Sequence, residues 1–228
     1  MIGKKPLLFF LLLLCGFYCF GQNPTLELPS NITFWSDYPH DVLADALVQR
    51  MTNGELLAQI LMFGWSGAEP TPLLLQWVEQ RSLGSVKVFG WQTDDCEAVA
   101  RAVGLVQEKA QNGRFQIPLY VATDQEGGWI RHIKGATSDT PGNLAIGASG
   151  YPMDAYYSGY YIGQELRAMG VNMNFAPTVD LYSNPQSTVI GPRSFGSDPD
   201  YGGALSASYS AGSMDAGVIP TAKHFPGH

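Results

Sequence analysis

Cysteine and charge are both scarce in this sequence of 228 residues. Two of its three cysteines, Cys15 and Cys19, lie in an apolar N-terminal stretch, which leaves only Cys96 in the remainder. A disulfide framework is therefore excluded there, and stability must come from a hydrophobic core. Charged residues make up 14% and hydrophobic residues 45% of the chain, a balance that fits one globular domain and argues against disorder.

Positive charge is especially scarce, since 13 lysines and arginines stand against 20 aspartates and glutamates. The formal net charge is -7 and the sequence has no basic stripe, which excludes nucleic acid as an expected partner. We predict no cofactor, and nothing in the sequence indicates an obligate protein partner.

The N-terminus has the pattern of a targeting segment. A charged pair, Lys4 and Lys5, precedes an apolar run over residues 7–14 that is too short for a comfortable membrane span. The pattern predicts a signal peptide over residues 1–22 and hence an exported protein in the periplasm, in the cell envelope or outside the cell. Lipid attachment at Cys15 is an alternative, disfavoured by the large residue directly before that cysteine.

The rest of the chain alternates between two hydrophobic patterns. A polar, proline-bearing arm or linker is expected over residues 23–40. Apolar or β-branched runs then predict strands over residues 56–63, 85–89, 117–122, 171–176 and 218–222. Helical spacing predicts helices over residues 41–51, 73–81, 94–111, 153–169 and 200–216. Asp94 is the predicted N-cap of the third of these helices, with Glu97 in a capping-box position.

Strands that alternate with helices imply a parallel sheet with right-handed crossovers. Polar residues cluster after the C-terminal ends of the last three predicted strands, which is where the active sites of (β/α)8 barrels lie. We therefore predict an α/β fold of the TIM-barrel type, incomplete, with about five of the eight βα units present. A doubly wound sheet is the alternative, disfavoured because no glycine-rich phosphate fingerprint follows the first predicted strand.

The first polar segment holds two carboxylates at the end of the third predicted strand. Asp124 and Glu126 are two residues apart and are followed by Gly127 and Gly128, which let a ligand approach the backbone closely. Such a pair suits acid/base chemistry, metal binding or hydrogen bonds to sugar hydroxyls. A solvated turn with a capping aspartate explains the same residues equally well.

The other polar segments supply cationic donors. Arg193 lies on a loop rich in glycine and proline and offers a planar donor fork suited to oxygen ligands, although an arginine on a loop is more often simply solvent-exposed. Lys223 and His224 follow the last predicted strand. His224 and His228 are four residues apart, but the intervening Pro-Gly pair forbids a helix, which disfavours a zinc site. No metal is predicted.

Four motifs together resemble glycoside hydrolase family 3, and specifically its β-N-acetylhexosaminidase branch. They are DQEGG, NFAPTVD, IGPRSFG and AKHFPGH, at residues 124–128, 174–180, 190–196 and 222–228. They occur in the family's order, each after a predicted strand, and the resemblance covers roughly residues 40–228. The FPGH segment resembles the N-acetylglucosaminide enzymes rather than the β-glucosidases. The resemblance makes residues 41–228 a partial N-terminal barrel domain of this family.

The resemblance implies a site for one sugar ring. Asp124 would accept hydrogen bonds from sugar hydroxyls, and Arg193, Lys223 and His224 would donate to hydroxyl oxygens of the same sugar. His228 would shape the loop.

The chain departs from the family pattern directly after the acidic pair. Trp129 replaces one family arginine and His132 the other, while Arg131 lies one position early. Both Arg131 and His132 therefore remain candidate substrate-binding residues, and Trp129 is suited equally to stacking on a sugar and to a core position.

The resemblance also implies a retaining double displacement on terminal β-linked N-acetylhexosamine residues, such as those of muropeptides or chitin-type oligomers. In this branch the nucleophilic Asp and the acid/base His follow the last motif, so both are expected beyond His228, and no catalytic residue is predicted within these 228 residues. We expect a truncated portion that is unstable and inactive on its own. The alternatives are another family 3 glycosidase, such as a β-glucosidase, and a non-catalytic carbohydrate-binding remnant.

Overall fold

The computed structural model describes residues 28–65, 67–90, 93–186 and 188–228. The chain divides into two units, one that ends at Ile32 and one that spans Thr33–His228. The second unit carries every helix and strand given below. The predicted signal peptide lies outside the described residues, and the predicted domain boundaries remain predictions. Within the described part of the chain, no helix is long and apolar enough to cross a membrane.

The described residues form an alternating series of helices and strands. The α-helices are α1 His40–Arg50, α2 Asn53–Gln59, α3 Pro72–Arg81, α4 Cys96–Gln111, α5 Asn143–Ser149, α6 Pro152–Ala168 and α7 Pro199–Asp215. The strands are β1 Met62–Gly64, β2 Ser85–Lys87, β3 Tyr120–Thr123, β4 Gln125–Gly127, β5 Ile130–Arg131, β6 Met173–Asn174 and β7 Ile219–Pro220. A 3₁₀ turn covers Gly191–Arg193.

Five strands form one parallel sheet in the order β1-β2-β3-β6-β7. Each strand pairs in parallel with the next, for example Val86 with Val121 and Thr123 with Asn174. The order of the strands in the sheet follows their order in the chain, as in a (β/α)8 barrel, whereas a doubly wound sheet reverses direction at a switch point. The predicted α/β fold with five strands of a barrel is therefore confirmed. A separate antiparallel hairpin, β4-β5, extends from the end of β3.

The prediction of a first strand over residues 56–63 is wrong at its N-terminal part. That run begins inside helix α2, and β1 starts only at Met62. The helix is fixed by a capping box in which the Thr52 hydroxyl accepts from the Glu55 N–H at 3.2 Å and the Glu55 carboxylate accepts from the Thr52 N–H at 2.7 Å. A short apolar run does not distinguish a strand from a helix, and here the capping residues decide.

Helix α4 packs its predicted apolar face into the core. The buried positions are those expected from the helical spacing, namely Val99, Ala102, Val103, Val106 and Ala110. The predicted cap is displaced by one residue, because Asp95 rather than Asp94 accepts from the N–H groups of Glu97 and Ala98, at 2.9 and 3.1 Å. The core continues onto the sheet, where Val86 and Val121 are fully buried.

Helices α6 and α7 pack unusually closely because glycines lie at their contact. A β-carbon on Gly159 would lie 2.1 Å from the carbonyl oxygen of Tyr209, and one on Gly212 would lie 2.0 Å from the carbonyl oxygen of Tyr156. Neither distance is compatible with a side chain, so the backbones meet directly. This contact places Tyr209, which is fully buried, beneath the β4-β5 hairpin, where its hydroxyl donates to the carbonyl of Gln125.

Candidate functional site

Charged side chains converge at the carboxyl ends of the parallel strands. Lys87 ends β2, Asp124 follows β3, and Lys223 follows β7. Because these strands are parallel and adjacent through β3 and β6, their ends lie at one edge of the sheet. The edge therefore gathers side chains that are as far apart as 136 positions in the chain.

Asp124 lies between two lysines. Its carboxylate oxygens lie 2.6 Å from Nζ of Lys223 and 2.6 Å from Nζ of Lys87. Burial alone would raise the pKa of Asp124, but the hydrogen bonds from Lys223 and Lys87 outweigh burial and lower that pKa below its ordinary value. The carboxylate is therefore ionised at neutral pH and acts as an acceptor. Lys87 was not among the predicted site residues, because it lies in the middle of the predicted strand over residues 85–89, whereas the observed strand ends at Lys87.

Glu126 is more deeply buried than Asp124 and is almost completely engaged. It is 2% exposed. Both its oxygens accept from Arg193, at 2.9 Å each, in the bidentate geometry that favours arginine. Nζ of Lys223 lies 2.5 Å from Oε1, and the hydroxyl of Thr178 donates to Oε2 at 2.9 Å. A solvated turn, the alternative left open by the sequence, does not describe this carboxylate.

Arg193 is fixed by its backbone as well as by Glu126. The 3₁₀ turn presents it, and the side-chain amide of Asn143 donates to its carbonyl at 2.7 Å. Its Nη1 donates to the carbonyl of Val189 at 3.1 Å. Its hydrogen bonds to Glu126 raise the pKa of the guanidinium group above the ordinary value, although burial acts in the opposite direction. Simple solvent exposure is therefore excluded for this arginine, which has defined partners.

Asp180 orients the terminal histidine motif. Its Oδ2 accepts from the N–H of His224 at 3.1 Å and lies 2.6 Å from Nδ1 of the same residue, while Oδ1 accepts from the N–H of His228 at 2.7 Å. Burial raises the pKa of Asp180, but these hydrogen bonds outweigh it and lower the pKa. Because Nδ1 faces a carboxylate, Nε2 of His224 is turned towards the site, 3.4 Å from Nη2 of Arg193. His228 acts on the loop through its backbone.

The structure separates the two candidate substrate-binding residues near the family's second arginine position, His132 and Arg131. Nδ1 of His132 lies 3.7 Å from the Asp124 carboxylate, whereas Arg131 turns away and pairs at 3.3 Å with the exposed Asp139. Burial lowers the pKa of His132, the charge of Asp124 raises it, and the net shift is downwards. Trp129 is 75% exposed, which excludes a core position.

Amide side chains hold the floor of the site. The side chain of Asn174 accepts from the N–H of Gln125 at 2.9 Å and donates to its carbonyl at 2.8 Å. The side chain of Gln125 in turn bridges the backbone of Ile133, donating to its carbonyl and accepting from its N–H. These buried amides fix the direction of β4 and therefore the positions of Asp124 and Glu126. Neither amide was among the predicted site residues.

We call the group formed by Lys87, Asp124, Glu126, His132, Arg193, Lys223 and His224 the strand-end cluster. It offers one partly exposed carboxylate, that of Asp124, together with two ammonium groups, a guanidinium group and two imidazoles. This donor and acceptor set suits a neutral ligand with several hydroxyl groups. Among the described residues, no three histidine, cysteine, aspartate or glutamate side chains are arranged to hold a metal ion.

The sequence model of one protein family, described as "Glycosyl hydrolase family 3 N terminal domain", matches residues 54–228 of this chain. The chain belongs to glycosyl hydrolase family 3. The N-terminal domain of this family is a (β/α)8 barrel, which is partly present here as the five parallel strands.

The relatives of this chain include β-hexosaminidases. Beta-hexosaminidase A of Pseudoalteromonas piscicida is 38% identical over 163 residues, covering 69% of this chain and 27% of that protein. The solved β-N-acetylglucosaminidase of Paenibacillus sp. str. FPU-7 is 35% identical with a TM-score of 0.75, covering 78% of this chain and 34% of that chain.

A third relative is known with a bound sugar derivative. NagZ from Neisseria gonorrhoeae, solved in complex with N-trifluoroacetyl-D-glucosamine, shares the fold at 24% identity and a TM-score of 0.66, covering 74% of this chain and 50% of that chain. The chain thus spans about a quarter to a half of the length of the relatives it matches.

Proposed function

We propose that the whole protein hydrolyses terminal β-linked N-acetylhexosamine residues, and that the cluster at the strand ends binds the terminal sugar. The family assignment and the names of the relatives support the reaction class. The observation that carries the proposal is Lys223, whose ammonium group lies within 2.6 Å of Asp124 and 2.5 Å of Glu126 and so joins the acidic segment to the terminal motif.

Each residue has a role that follows from its geometry. Asp124, ionised and at the edge of the cluster, accepts hydrogen bonds from sugar hydroxyls. Lys223, Arg193 and His224 donate to hydroxyl oxygens, and Glu126 holds the two cations in place from below. Of the two candidates near the second family arginine position, His132 is better placed for a sugar contact than Arg131, because Arg131 is engaged with Asp139.

The described residues bind and orient the sugar but do not attack it. Asp124 is held by two ammonium groups, Glu126 by an arginine and a lysine, and Asp180 by a histidine and two backbone N–H groups. Carboxylates with such partners have a stabilised negative charge and are poor nucleophiles. For the retaining double displacement we therefore assign the nucleophilic Asp and the acid/base His to residues outside the described ones. The cluster contributes by holding the sugar near its reactive geometry.

A substrate panel tests the reaction. The whole protein is expected to hydrolyse an aryl N-acetyl-β-glucosaminide and to lose activity when the 2-acetamido group is replaced by hydroxyl. Equal or better hydrolysis of the β-glucoside would support a β-glucosidase instead. Sugar binding without hydrolysis of either substrate would support a carbohydrate-binding protein.

The cellular setting is part of the same proposal. A signal peptide over residues 1–22 would export the protein towards wall-derived muropeptides or chitin-type oligomers, which carry the terminal N-acetylhexosamine that the reaction needs. N-terminal sequencing of the mature protein tests it: a first residue near position 23 supports export, and an intact Met1 contradicts it.

A further inference from the structure

Lys87 is held from three sides at the carboxyl end of β2. Its Nζ lies 2.6 Å from Oδ2 of Asp124, 4.5 Å from the centroid of the Phe89 ring and 5.3 Å from the centroid of the Phe175 ring. Both rings are close enough to attract an ammonium group to the aromatic face. Lysine side chains are usually flexible, but these three contacts give the Lys87 ammonium group one defined position.

The register of the parallel strands builds this arrangement. Lys87 of β2 pairs with Ala122 of β3, and Asp124 comes two residues after Ala122. Side chains two residues apart along a strand point to the same face of the sheet, which brings Asp124 to Lys87 and places Phe89 beside it. Phe175 directly follows β6, the strand on the other side of β3. Three neighbouring strands therefore supply the carboxylate and both rings.

The two lysines that contact Asp124 are not equivalent. Lys223 is shared between two carboxylates, since its Nζ lies 2.6 Å from Oδ1 of Asp124 and 2.5 Å from Oε1 of Glu126. Among the carboxylates of the described residues, Lys87 pairs with Asp124 alone. Two carboxylates that contact one ammonium group lie close enough to repel each other. Lys87 offsets this repulsion on the Asp124 side.

Titratable and charged groups surround Asp124 on every element packed against it, namely Lys87 of β2, Glu126 of β4, His132 after β5, Arg193 of the 3₁₀ turn and Lys223 after β7. Nδ1 of His132 lies 3.7 Å from Asp124, but the pKa of this histidine is lowered by burial and the ring is neutral at pH 7. Arg193 donates to Glu126. The positive charge that Asp124 contacts directly therefore comes from Lys87 and Lys223.

We propose that Lys87 is a positioning residue for sugar binding, which anchors Oδ2 of Asp124 and leaves Oδ1, together with Lys223, to the sugar. Lys87 acts through Asp124, because its ammonium group is occupied by that carboxylate and by the two rings. Asp124 thus keeps a cation when Lys223 donates to a sugar hydroxyl, and its charge and direction do not change on binding. The role of Lys87 rests on the proposed function, since it concerns the same site.

The first test needs no sugar. In the full chain, the carboxyl carbon of Asp124 is followed by NMR as the pH is lowered from about 7 to about 4, and its signal is assigned by its loss in Asp124→Asn. In the parent chain this signal should not move, because the pKa of Asp124 lies below its ordinary value of 3.8. Lys87→Met removes one of the two hydrogen bonds that lower this pKa, so the signal should titrate within the range. An Asp124 signal that stays constant in Lys87→Met would overturn the proposal.

The second test is calorimetric titration with N-acetylglucosamine at neutral pH. Lys87→Met should weaken binding about tenfold, as expected for the loss of a charge-assisted hydrogen bond to the acceptor. Lys87→Arg keeps a cation that can stack on the rings and should bind within about threefold of the parent chain. Lys109→Met is the matched control, because Lys109 pairs with Glu79 at 3.1 Å outside the site, and it should change affinity less than about twofold.

Phe175→Leu provides a second variant if Lys87→Met lowers the melting temperature. It keeps every charge and removes one of the two rings, so affinity should fall about threefold. Unchanged affinity in Lys87→Met and Phe175→Leu, or binding as weak in Lys87→Arg as in Lys87→Met, would overturn the role of Lys87. Failure of the parent chain to bind N-acetylglucosamine would instead contradict the proposed function.

Discussion

The strand-end cluster and the contact between α6 and α7 are both buried and both closely packed, but they are built in opposite ways. The cluster packs charges, with Glu126 2% exposed among two cations. The helix contact packs backbone, with Gly159 and Gly212 leaving no space for a side chain. Breaking a buried ion pair costs more than the pair contributes to stability, whereas close backbone packing stabilises directly. The packed helices therefore supply stability to a site that contributes little stability of its own.

Filling the contact between α6 and α7 should cause the greatest loss of stability. Gly159→Ala places a β-carbon 2.1 Å from the carbonyl oxygen of Tyr209, so α6 and α7 must separate. We expect a loss of about 3 kcal/mol in the free energy of unfolding, measured by chemical denaturation. Sugar binding should weaken in the same variant, because Tyr209 supports the β4-β5 hairpin. Stability equal to that of the parent chain would show that the close approach of the two helices is not required.

Disrupting the strand-end cluster should give the next largest loss of stability. Glu126→Gln keeps the shape of the side chain but leaves Arg193 and Lys223 without their shared carboxylate. We expect a destabilisation of about 2 kcal/mol together with loss of sugar binding, because the amide keeps one acceptor oxygen for the two cations. Glu79→Gln is the control, since Glu79 pairs with Lys109 at 3.1 Å on the surface and should change stability by less than about 1 kcal/mol. Similar effects of the two substitutions would contradict a special role for the buried pair.

The pH dependence of stability should also distinguish the strand-end cluster from the contact between α6 and α7. Because the pKa of His132 is lowered in the folded state, the unfolded chain binds more protons, and stability should fall as pH decreases through the ordinary histidine range near 6.5. Asp124 and Asp180 have lowered pKa values too, but their contribution is present above about 3.8 and is lost only in more acidic solution. His132→Gln should therefore flatten the curve of melting temperature against pH between about pH 7 and 5. An unchanged curve would contradict the burial of the His132 ring in the folded chain.

The smallest change that we expect is an increase in stability. Gly203 lies on α7 like Gly212, but a β-carbon there would meet nothing within 4 Å. Gly203→Ala should raise the free energy of unfolding by about 0.5–1 kcal/mol, as expected for an exposed helical position, and leave sugar binding unchanged. Destabilisation by Gly203→Ala would show that α7 requires glycine at positions outside its contact with α6.

Much of this architecture was predictable from the sequence. The alternation of patterns predicted the five parallel strands, and helical spacing predicted the buried face of α4. The positions of Asp124, Arg193, Lys223 and His224 after predicted strands were sufficient to expect convergence, because parallel strands end at one edge. The structure brings these four side chains together, with His132 and without Arg131.

The rest of the fold and of the site depends on contacts between residues far apart in the chain, which no local sequence pattern contains. Helix α2 occupies an apolar run that was predicted as strand, and α5 forms in a segment for which neither a helix nor a strand was predicted. The pairing of Lys87 with Asp124, and the bidentate bonds from Arg193 to Glu126, join residues 37 and 67 positions apart. Long flexible side chains choose such partners only once the fold has placed them.

Sugar binding by the strand-end cluster can be tested through the four histidines of the chain. Titration with N-acetylglucosamine should shift the ring NMR signals of His224 and His132 and leave those of His40, on α1, unchanged. Lys223→Met should abolish the shifts, while Lys134→Met, at an exposed lysine, should not. Shifts that persist in Lys223→Met, or that never occur at His224 in the folded chain, would contradict the account.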